Sequence, residues 1–175
     1  SERGEVAAGL VELFLAEHVR HTAGPLAGRP FLLERWQRDN IVRPIFGTLD
    51  RDGTRRYREG LIGLPRWSGK SQSVAGLALA CLFTEPVPEG EYYAVASNMI
   101  QAGIVFNKAK RIILQDPLLR RIAHVYRKVI EVPETGAVFR TMPWNADSAQ
   151  GWHPQVAIID EYHVHRDASM REAML

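Results

Sequence analysis

The chain has 175 residues, of which 46% are hydrophobic, and this length suits about one domain with a sizeable core. Its net charge of +2 is too small for bulk charge to indicate a nucleic-acid-binding protein. A single cysteine, Cys81, excludes an internal disulfide and a multi-cysteine metal site, and it suits a reducing compartment. No apolar run approaches the ~18 residues that a membrane-spanning helix needs, so we expect a cytoplasmic protein.

The first half of the chain contains two helical patterns and one βα unit. Apolar residues at helical spacing predict helices over 5–21 and over 30–39, the second ending near 44–47. The segment 50–54 is typical of a hairpin turn. The segment 57–63 predicts a strand, and the Ala- and Leu-rich segment 72–83 predicts the helix that follows it.

The second half adds another βα unit, a hairpin and a final strand. The predicted elements are a loop at 86–90, a strand at 91–97, a helix at 100–115, antiparallel strands at 125–132 and 137–142, a polar loop at 145–154 and a strand at 156–159. This order predicts an α/β fold with a mostly parallel central sheet flanked by helices and a ligand at the carboxyl ends of its strands. The segment 168–175 begins a helix without a stop signal, so we expect a fragment of a longer protein.

Between the predicted strand and the predicted helix lies a variant phosphate-binding loop. Residues 64–71 read Leu-Pro-Arg-Trp-Ser-Gly-Lys-Ser, with Leu64 where the usual pattern has glycine. Gly69 lets the backbone approach a polyphosphate, Lys70 reaches its β- and γ-oxygens, and Ser71 offers a hydroxyl to magnesium. The residues predicted to contact the nucleotide in this segment are Pro65, Arg66, Trp67, Ser68, Gly69, Lys70, Ser71 and Gln72.

About ninety residues later, an acid pair ends an apolar strand. The strand at 156–159 is expected to be buried on both faces of a parallel sheet and to present Asp160 and Glu161 at its carboxyl end. Asp160 can hold Mg²⁺ directly or through a water, and Glu161 can orient and deprotonate the attacking water. The alternative is a buried strand capped by two solvated acids. Beside the phosphate loop, the pair predicts binding and hydrolysis of a nucleoside triphosphate with Mg²⁺.

Two further features have competing interpretations. Basic residues cluster locally, either as a partner surface or as a solvated helix face and hairpin edge. His163 and His165 stand at the strand end, where they either hold zinc or pack as supporting residues. The clustered basic residues are Arg51, Arg55, Arg56 and Arg58, followed by Lys108, Lys110, Arg111, Arg120, Arg121, Arg127 and Lys128.

Several motifs in one order resemble the ATPase domain of the large terminase subunit, the DNA-packaging motor of tailed double-stranded DNA bacteriophages. The resemblance implies a P-loop NTPase of the additional-strand, catalytic-glutamate type, with 1–175 as the N-terminal ATPase domain. It further implies that the coupling motif and the C-terminal nuclease domain are absent, so no DNA cutting is expected. The motifs are Pro30-Phe31 to Trp36-Gln37, Phe46-Gly47, residues 65–71, Ala96-Ser97-Asn98, Gln101-Ala102 and residues 160–165.

The resemblance also assigns roles to individual residues. Gln37 would lie near the adenine, where its amide can donate and accept; the alternative is a surface glutamine beside a core Trp36. Arg66 would act in cis on the γ-phosphate; the alternatives are an exposed loop arginine or a partner of Glu161. Some family members carry a trans-acting arginine where this chain has Gln150. Arg140 or Arg127 could replace it, or no such arginine is needed.

The implied partners are ATP with Mg²⁺, double-stranded DNA, a portal protein and a small terminase subunit. We expect a homo-oligomeric ring on the procapsid, or a monomer in isolation, in the host bacterial cytoplasm and at the procapsid portal, with no membrane. One alternative is a superfamily 2 helicase core, since residues 160–163 also read Asp-Glu-x-His. Others are a nucleotide-gated binding module with little turnover and, least favoured, a small-molecule kinase.

Overall fold

A computed structural model of the chain describes residues 1–65, 68–96, 99–143 and 154–160, excluding the side chains at 99, 101 and 143. The chain divides into two compact units, Ser1–Lys70 and Ser71–Leu175. No helix in the described ranges is long and apolar enough to cross a membrane.

The first unit begins with a long helix, α1 (Glu2–His18). The Ser1 hydroxyl accepts a hydrogen bond from the Gly4 amide at 3.3 Å and caps the helix. For this reason α1 starts three residues before the predicted position. It also ends three residues early, because Val19 adopts extended backbone with φ −96° and ψ 125°.

The second helical region starts at Arg35 instead of residue 30. Glu34 and Gln37 form a capping box at this point, which satisfies the first free amides of the helix. Pro44 lacks an amide hydrogen and its ring displaces the carbonyl four residues earlier, which explains the wider π turn just before it. The successive segments are α2 (Arg35–Gln37), a π-helical turn (Arg38–Val42) and α3 (Arg43–Gly47).

Two glycines allow α1 and α3 to approach closely. A Cβ added at Gly4 would overlap the carbonyl oxygen of Gly47, so this contact requires the absence of a side chain. Gly9, later in α1, is different, because a Cβ there would meet no atom within 4 Å. The two helices therefore pack closely against each other at Gly4 and not at Gly9.

The predicted turn over 50–54 is confirmed. The Asp50 amide donates to the Thr54 carbonyl at 2.8 Å, and Gly53 takes the left-handed φ of +87° that this turn requires. The flanking chain pairs through the β-bridge between Leu49 and Arg55.

The strand predicted over 57–63 is wrong. This segment is irregular, and the side chains of Tyr57 and Leu61 are 50% and 86% exposed. A strand is stabilised by cross-strand side-chain pairs and by a buried face. Gly60 and Gly63 supply no side chain for either, so the apolar residues between them do not hold an extended ladder.

The second unit is a mixed α/β structure with a five-stranded sheet in the order β2-β3-β4-β1-β5. The predicted helices over 72–83 and 100–115 and the strands over 91–97, 137–142 and 156–159 are confirmed with end shifts of a few residues. The strand predicted over 125–132 is wrong as a single element, because a turn divides it into the antiparallel strands β2 and β3, and the short helix α6 was not predicted. The element bounds are α4 (Lys70–Thr84, whose first residue closes the first unit), β1 (Glu91–Ala96), α5 (Met99–Gln115), α6 (Leu119–Ile122), β2 (His124–Val125), β3 (Val129–Val132), β4 (Ala137–Pro143) and β5 (Pro154–Ile159).

The sheet is parallel only in part. β1 pairs in parallel with β4 on one side and with β5 on the other, whereas β2/β3 and β3/β4 are antiparallel. The predicted hairpin is β3/β4. Its core includes Phe106 of α5 and Phe139 of β4, whose ring centroids lie 5.7 Å apart, and Cys81 is buried as an apolar residue.

Burial of β5 differs from the prediction. Residues 156–159 are half-buried, whereas Tyr92 to Ala96 of β1 are buried. Among the described strands β5 is the last in the sheet order and pairs only with β1.

Candidate functional site

The variant phosphate loop leads directly into a helix. Lys70 is the first residue of the 15-residue helix α4 and Ser71 is the second. Gly69, immediately before them, has a left-handed φ of +74°, and the Ser68 hydroxyl donates to the Pro65 carbonyl at 2.8 Å. The first amides of a helix point away from it at its N-terminal end, where the helix dipole is positive, so this turn places the start of α4 where an anion would be stabilised.

The rest of α4 anchors this turn. Ala75, Leu79 and Leu82 are buried with 0 to 1% exposure, so the helix is fixed by packing. Gln72 is also buried, at 6% exposure. Its predicted contact with a nucleotide would therefore be made by its backbone amide in the first turn and not by its side chain.

Asp160 follows the last residue of β5. Its amide donates to the Val95 carbonyl of β1 at 3.1 Å, and its side chain is half-buried. Because β1, β4 and β5 run in parallel, their carboxyl ends share one edge of the sheet. Asp160 thus lies at the edge where ligands bind in open α/β sheets.

Gln37 is built into a helix cap. Its Oε1 accepts from the Glu34 amide at 2.8 Å, and the side chain is 7% exposed. Trp36 is 37% exposed and donates through Nε1 to Glu34 Oε2 at 2.8 Å. The alternative of a surface glutamine beside a core tryptophan is therefore wrong, because the burial of the two residues is reversed. Gln37 Oε1, which caps the helix, has a second lone pair, and the side-chain amide nitrogen of Gln37 has two N–H donors.

The other predicted site residues lie outside the described ranges. This applies to Arg66, Trp67, Glu161, Gln150, His163 and His165. Their predicted roles stay predictions.

A magnesium ion would find suitable oxygen donors in the described part of the site. Ser71 supplies a hydroxyl and Asp160 a carboxylate, and Mg²⁺ typically takes one or two protein oxygens together with phosphate oxygens and waters. Within residues 1–65, 68–96, 99–143 and 154–160, no group of three His, Cys, Asp or Glu side chains could hold a metal ion. The donor set fits an ion that arrives with a phosphate ligand.

A polar cluster on β1 and β4, formed by the buried Tyr93 with the half-buried Glu91 and Arg140, was missed by the sequence analysis. The Tyr93 hydroxyl donates to Glu91 Oε2 at 2.6 Å, and Arg140 Nη2 donates to Glu91 Oε1 at 3.3 Å. Burial, followed by the hydrogen bond and charge of Glu91, raises the pKa of Tyr93. Arg140 is engaged with Glu91, which argues against its use as a trans-acting arginine. Only the parallel register of the strands could have revealed this cluster.

Comparison with known proteins agrees with these features. Residues 35–175 match the family model of the terminase large subunit, ATPase domain. The chain is 28% identical over 163 residues to the terminase large subunit of Enterobacteria phage HK97, covering 91% of this chain and 30% of that protein.

A solved structure shares the fold. The crystal structure of the HK97 bacteriophage large terminase matches with a TM-score of 0.73 at 22% identity, over 87% of this chain and 30% of that one. The chain thus spans about 30% of the length of these relatives. Since the family model covers most of the chain, the protein belongs to the ATPase domain family of terminase large subunits.

Proposed function

We propose that the chain is the ATP-hydrolysing motor domain of a viral terminase large subunit, with the fold of a P-loop NTPase of the additional-strand, catalytic-glutamate type. The observation that carries the proposal is the start of α4. Gly69 has a φ of +74°, and Lys70 and Ser71 immediately open a helix that is fixed by burial. The positive end of this helix favours a polyphosphate.

Nucleotide binding is assigned to the loop and the first turn of α4. The Lys70 ammonium neutralises the β- and γ-phosphate oxygens, while Gly69 leaves the backbone open to them. Gln37 is proposed to bind the adenine through its side-chain amide nitrogen and through the second lone pair of Oε1, the oxygen that caps the helix. The Ser71 hydroxyl and the Asp160 carboxylate would hold Mg²⁺, which when bound neutralises phosphate charge.

Hydrolysis is assigned to the residues next to these groups. Asp160 is hydrogen-bonded to Val95 at the carboxyl edge of the sheet, and Glu161 is the next residue in the sequence. We assign Glu161 to orient the attacking water and take its proton. Arg66 is assigned to neutralise charge that develops on the γ-phosphate in the transition state.

The proposed cellular role is translocation of double-stranded DNA into a procapsid. The proposed partners are a portal protein, a small terminase subunit and further copies in a ring, in the host cytoplasm and at the portal. The support is membership in the terminase family. No nuclease activity is assigned to this chain.

The test is steady-state hydrolysis of Mg²⁺-ATP by the purified chain over a range of protein concentrations. We expect Glu161→Gln to retain ATP binding and lose hydrolysis, and Lys70→Ala to lose binding. Matched controls are Glu134→Gln, in the exposed turn between β3 and β4, and Lys110→Ala on α5. Both should behave as wild type.

The outcomes separate the rival functions. Equal hydrolysis by wild type and Glu161→Gln would refute the assigned base. ATP binding without turnover at every protein concentration would instead support a nucleotide-gated binding module. A rate per chain that rises with concentration would indicate a site completed by a neighbouring copy, and a constant rate would place all essential groups in one chain.

A further inference from the structure

One region of the second unit is far more basic than the chain as a whole. Residues 99–128 contain seven lysines and arginines and one acidic residue, a net charge of +6, whereas the whole chain carries +2. The remaining residues are therefore net acidic, at −4. This stretch comprises α5, α6 and β2 with the turn that follows, and it is more basic than the other cluster at 51–58, whose net charge is +3.

The only acidic residue of this stretch is buried. Asp116 is 8% exposed, and its Oδ1 accepts from the amides of Leu118 and Leu119 at 2.9 and 2.8 Å. It caps the short helix α6 and presents little carboxylate surface to solvent. The outward side chains of this stretch are consequently cationic or neutral.

The basic residues lie around two neighbouring clefts. One cleft is lined by Lys108, Lys110 and Arg111 of α5 and the other by Arg120, His124 and Tyr126, and Leu114 lines both. Arg111, Arg120, Arg121, Arg127 and Lys128 are exposed. Tyr126 is 53% exposed, and its ring meets that of His124 edge-on at 6.3 Å. The two clefts, which share Leu114, and the exposed basic side chains next to them in the sequence are here called the α5–α6 basic surface.

We propose that the α5–α6 basic surface binds the phosphate backbone of double-stranded DNA. Arginine guanidinium groups contact phosphate oxygens in pairs of hydrogen bonds, and a duplex presents such oxygens at regular intervals. Five exposed cationic side chains, in a stretch whose only carboxylate is buried, suit this ligand regardless of base sequence. On the neighbouring strand β3, Glu131 is half-buried and pairs with His124 in the strand register. The identity of the ligand rests on the proposed function, whereas the surface itself does not involve the ATP site.

An acidic protein partner fits less well. Charged residues are depleted at the centres of protein interfaces, although arginine and aromatic residues are enriched across them. Exposed apolar side chains do line the clefts, with Leu114 52% and Ile104 46% exposed. The net charge of +6 in 99–128 nevertheless favours a polyanion with regularly spaced charges over an acidic protein, whose carboxylates are spaced irregularly.

The experiment measures binding of a fluorescent 30-base-pair duplex by anisotropy over a salt series, without nucleotide. The test variants are the pairs Arg120→Glu with Arg121→Glu, and Arg111→Glu with Lys128→Glu. The control pair is Arg3→Glu with Arg29→Glu, which makes the same change in net charge at exposed positions of the first unit. Circular dichroism confirms that each variant is folded.

We expect each test pair to weaken binding more than tenfold and to reduce the slope of log K against log salt by about two, since each phosphate contact contributes about 0.9. The control pair should change the slope little. Equal losses in test and control pairs would overturn the proposal, since bulk charge would then account for binding. Binding of an acidic polypeptide but not of the duplex would overturn it in favour of a protein partner.

This test is separate from that of the ATPase. The Arg120→Glu, Arg121→Glu pair should keep the DNA-independent rate of ATP hydrolysis. Loss of DNA binding with hydrolysis intact supports the surface assignment. A wild-type chain that hydrolyses ATP but does not bind the duplex at low salt refutes the surface alone, whereas DNA binding without hydrolysis refutes only the ATPase assignment.

Discussion

Replacing Gly69 by alanine tests whether the phosphate loop works through its backbone shape. Gly69 has a φ of +74°, yet a Cβ added there would meet no atom of the described residues within 4 Å. The substitution therefore introduces no clash with the described residues, and the expected effect is the roughly 1–2 kcal/mol that a left-handed conformation costs a residue with a Cβ. The loop is exposed at Gly69, so in the absence of ligand it can relax to negative φ.

Most of that free energy should consequently appear when a nucleotide fixes the loop. We expect Gly69→Ala to weaken Mg²⁺-ATP binding by about 5- to 30-fold in isothermal titration calorimetry, the equivalent of roughly 1–2 kcal/mol. The change in unfolding free energy should be smaller than this.

Gly63 provides a matched control in the same segment. A Cβ at Gly63 also meets no atom of the residues that the structure describes within 4 Å, and the φ of Gly63 lies outside the left-handed region. Gly63→Ala should leave ATP affinity within about twofold and stabilise the chain by up to ~1 kcal/mol through the unfolded state. If both variants bind ATP as wild type does, or if both lose affinity equally, the left-handed turn at Gly69 is not what positions the phosphates.

Three further predictions concern stability, catalysis and pH. Gly4→Ala should lower the unfolding free energy by about 1–3 kcal/mol because its Cβ meets the backbone of α3, whereas Gly9→Ala in the same helix should raise it by ~0.5–1 kcal/mol; chemical denaturation measures both. Arg66→Ala should keep ATP affinity within a few-fold and lower kcat on the order of 10³-fold in steady-state assays. Because the pKa of Tyr93 is raised in the fold from its ordinary 10.0 by burial and by Glu91, the folded state retains that proton above pH 10 more than the unfolded state does. The contribution of the protonated Tyr93 hydroxyl to the unfolding free energy is complete below pH 10 and decreases as pH rises above it. Urea titrations between pH 8 and 11 should therefore show a steeper loss of unfolding free energy in wild type than in Tyr93→Phe.

The sequence predicted elements whose signals are local. α4 follows from an Ala- and Leu-rich run behind Gly69, and the β3/β4 hairpin follows from two alternating runs around a turn at 133–136. The same local reasoning placed Lys70, Ser71 and Asp160 at a helix start and a strand end, where the structure has them. In each case the neighbours that decide the conformation lie within a few residues.

The sequence-based predictions failed where contacts with residues distant in the chain determine the local structure. Residues 57–63 have the composition of a strand, but a strand needs a partner and a buried face, and Leu61 is 86% exposed. The contact of Arg140 with Glu91 spans 49 residues and depends on the pairing of β1 with β4. Gln37 shows a third limit of sequence-based prediction. The sequence does not distinguish a glutamine whose side-chain oxygen caps a helix from a glutamine whose amide is exposed at the surface.

The register of β5 connects these distant effects to the proposed chemistry. The pairing of β1 with β5 shifts between Glu91 and Tyr92, whose partners are Pro154 and Val156, so Gln155 is an extra residue in β5. A shift of one residue exchanges the two faces of a strand. The bulge at Gln155 therefore decides which face each residue from Val156 onward takes, Asp160 among them. Since β1 is the only described strand that pairs with β5, the position of the proposed magnesium ligand depends on this single ladder. The packing of the buried strand β1, rather than the acidic motif, therefore holds Asp160 at the carboxyl edge of the sheet.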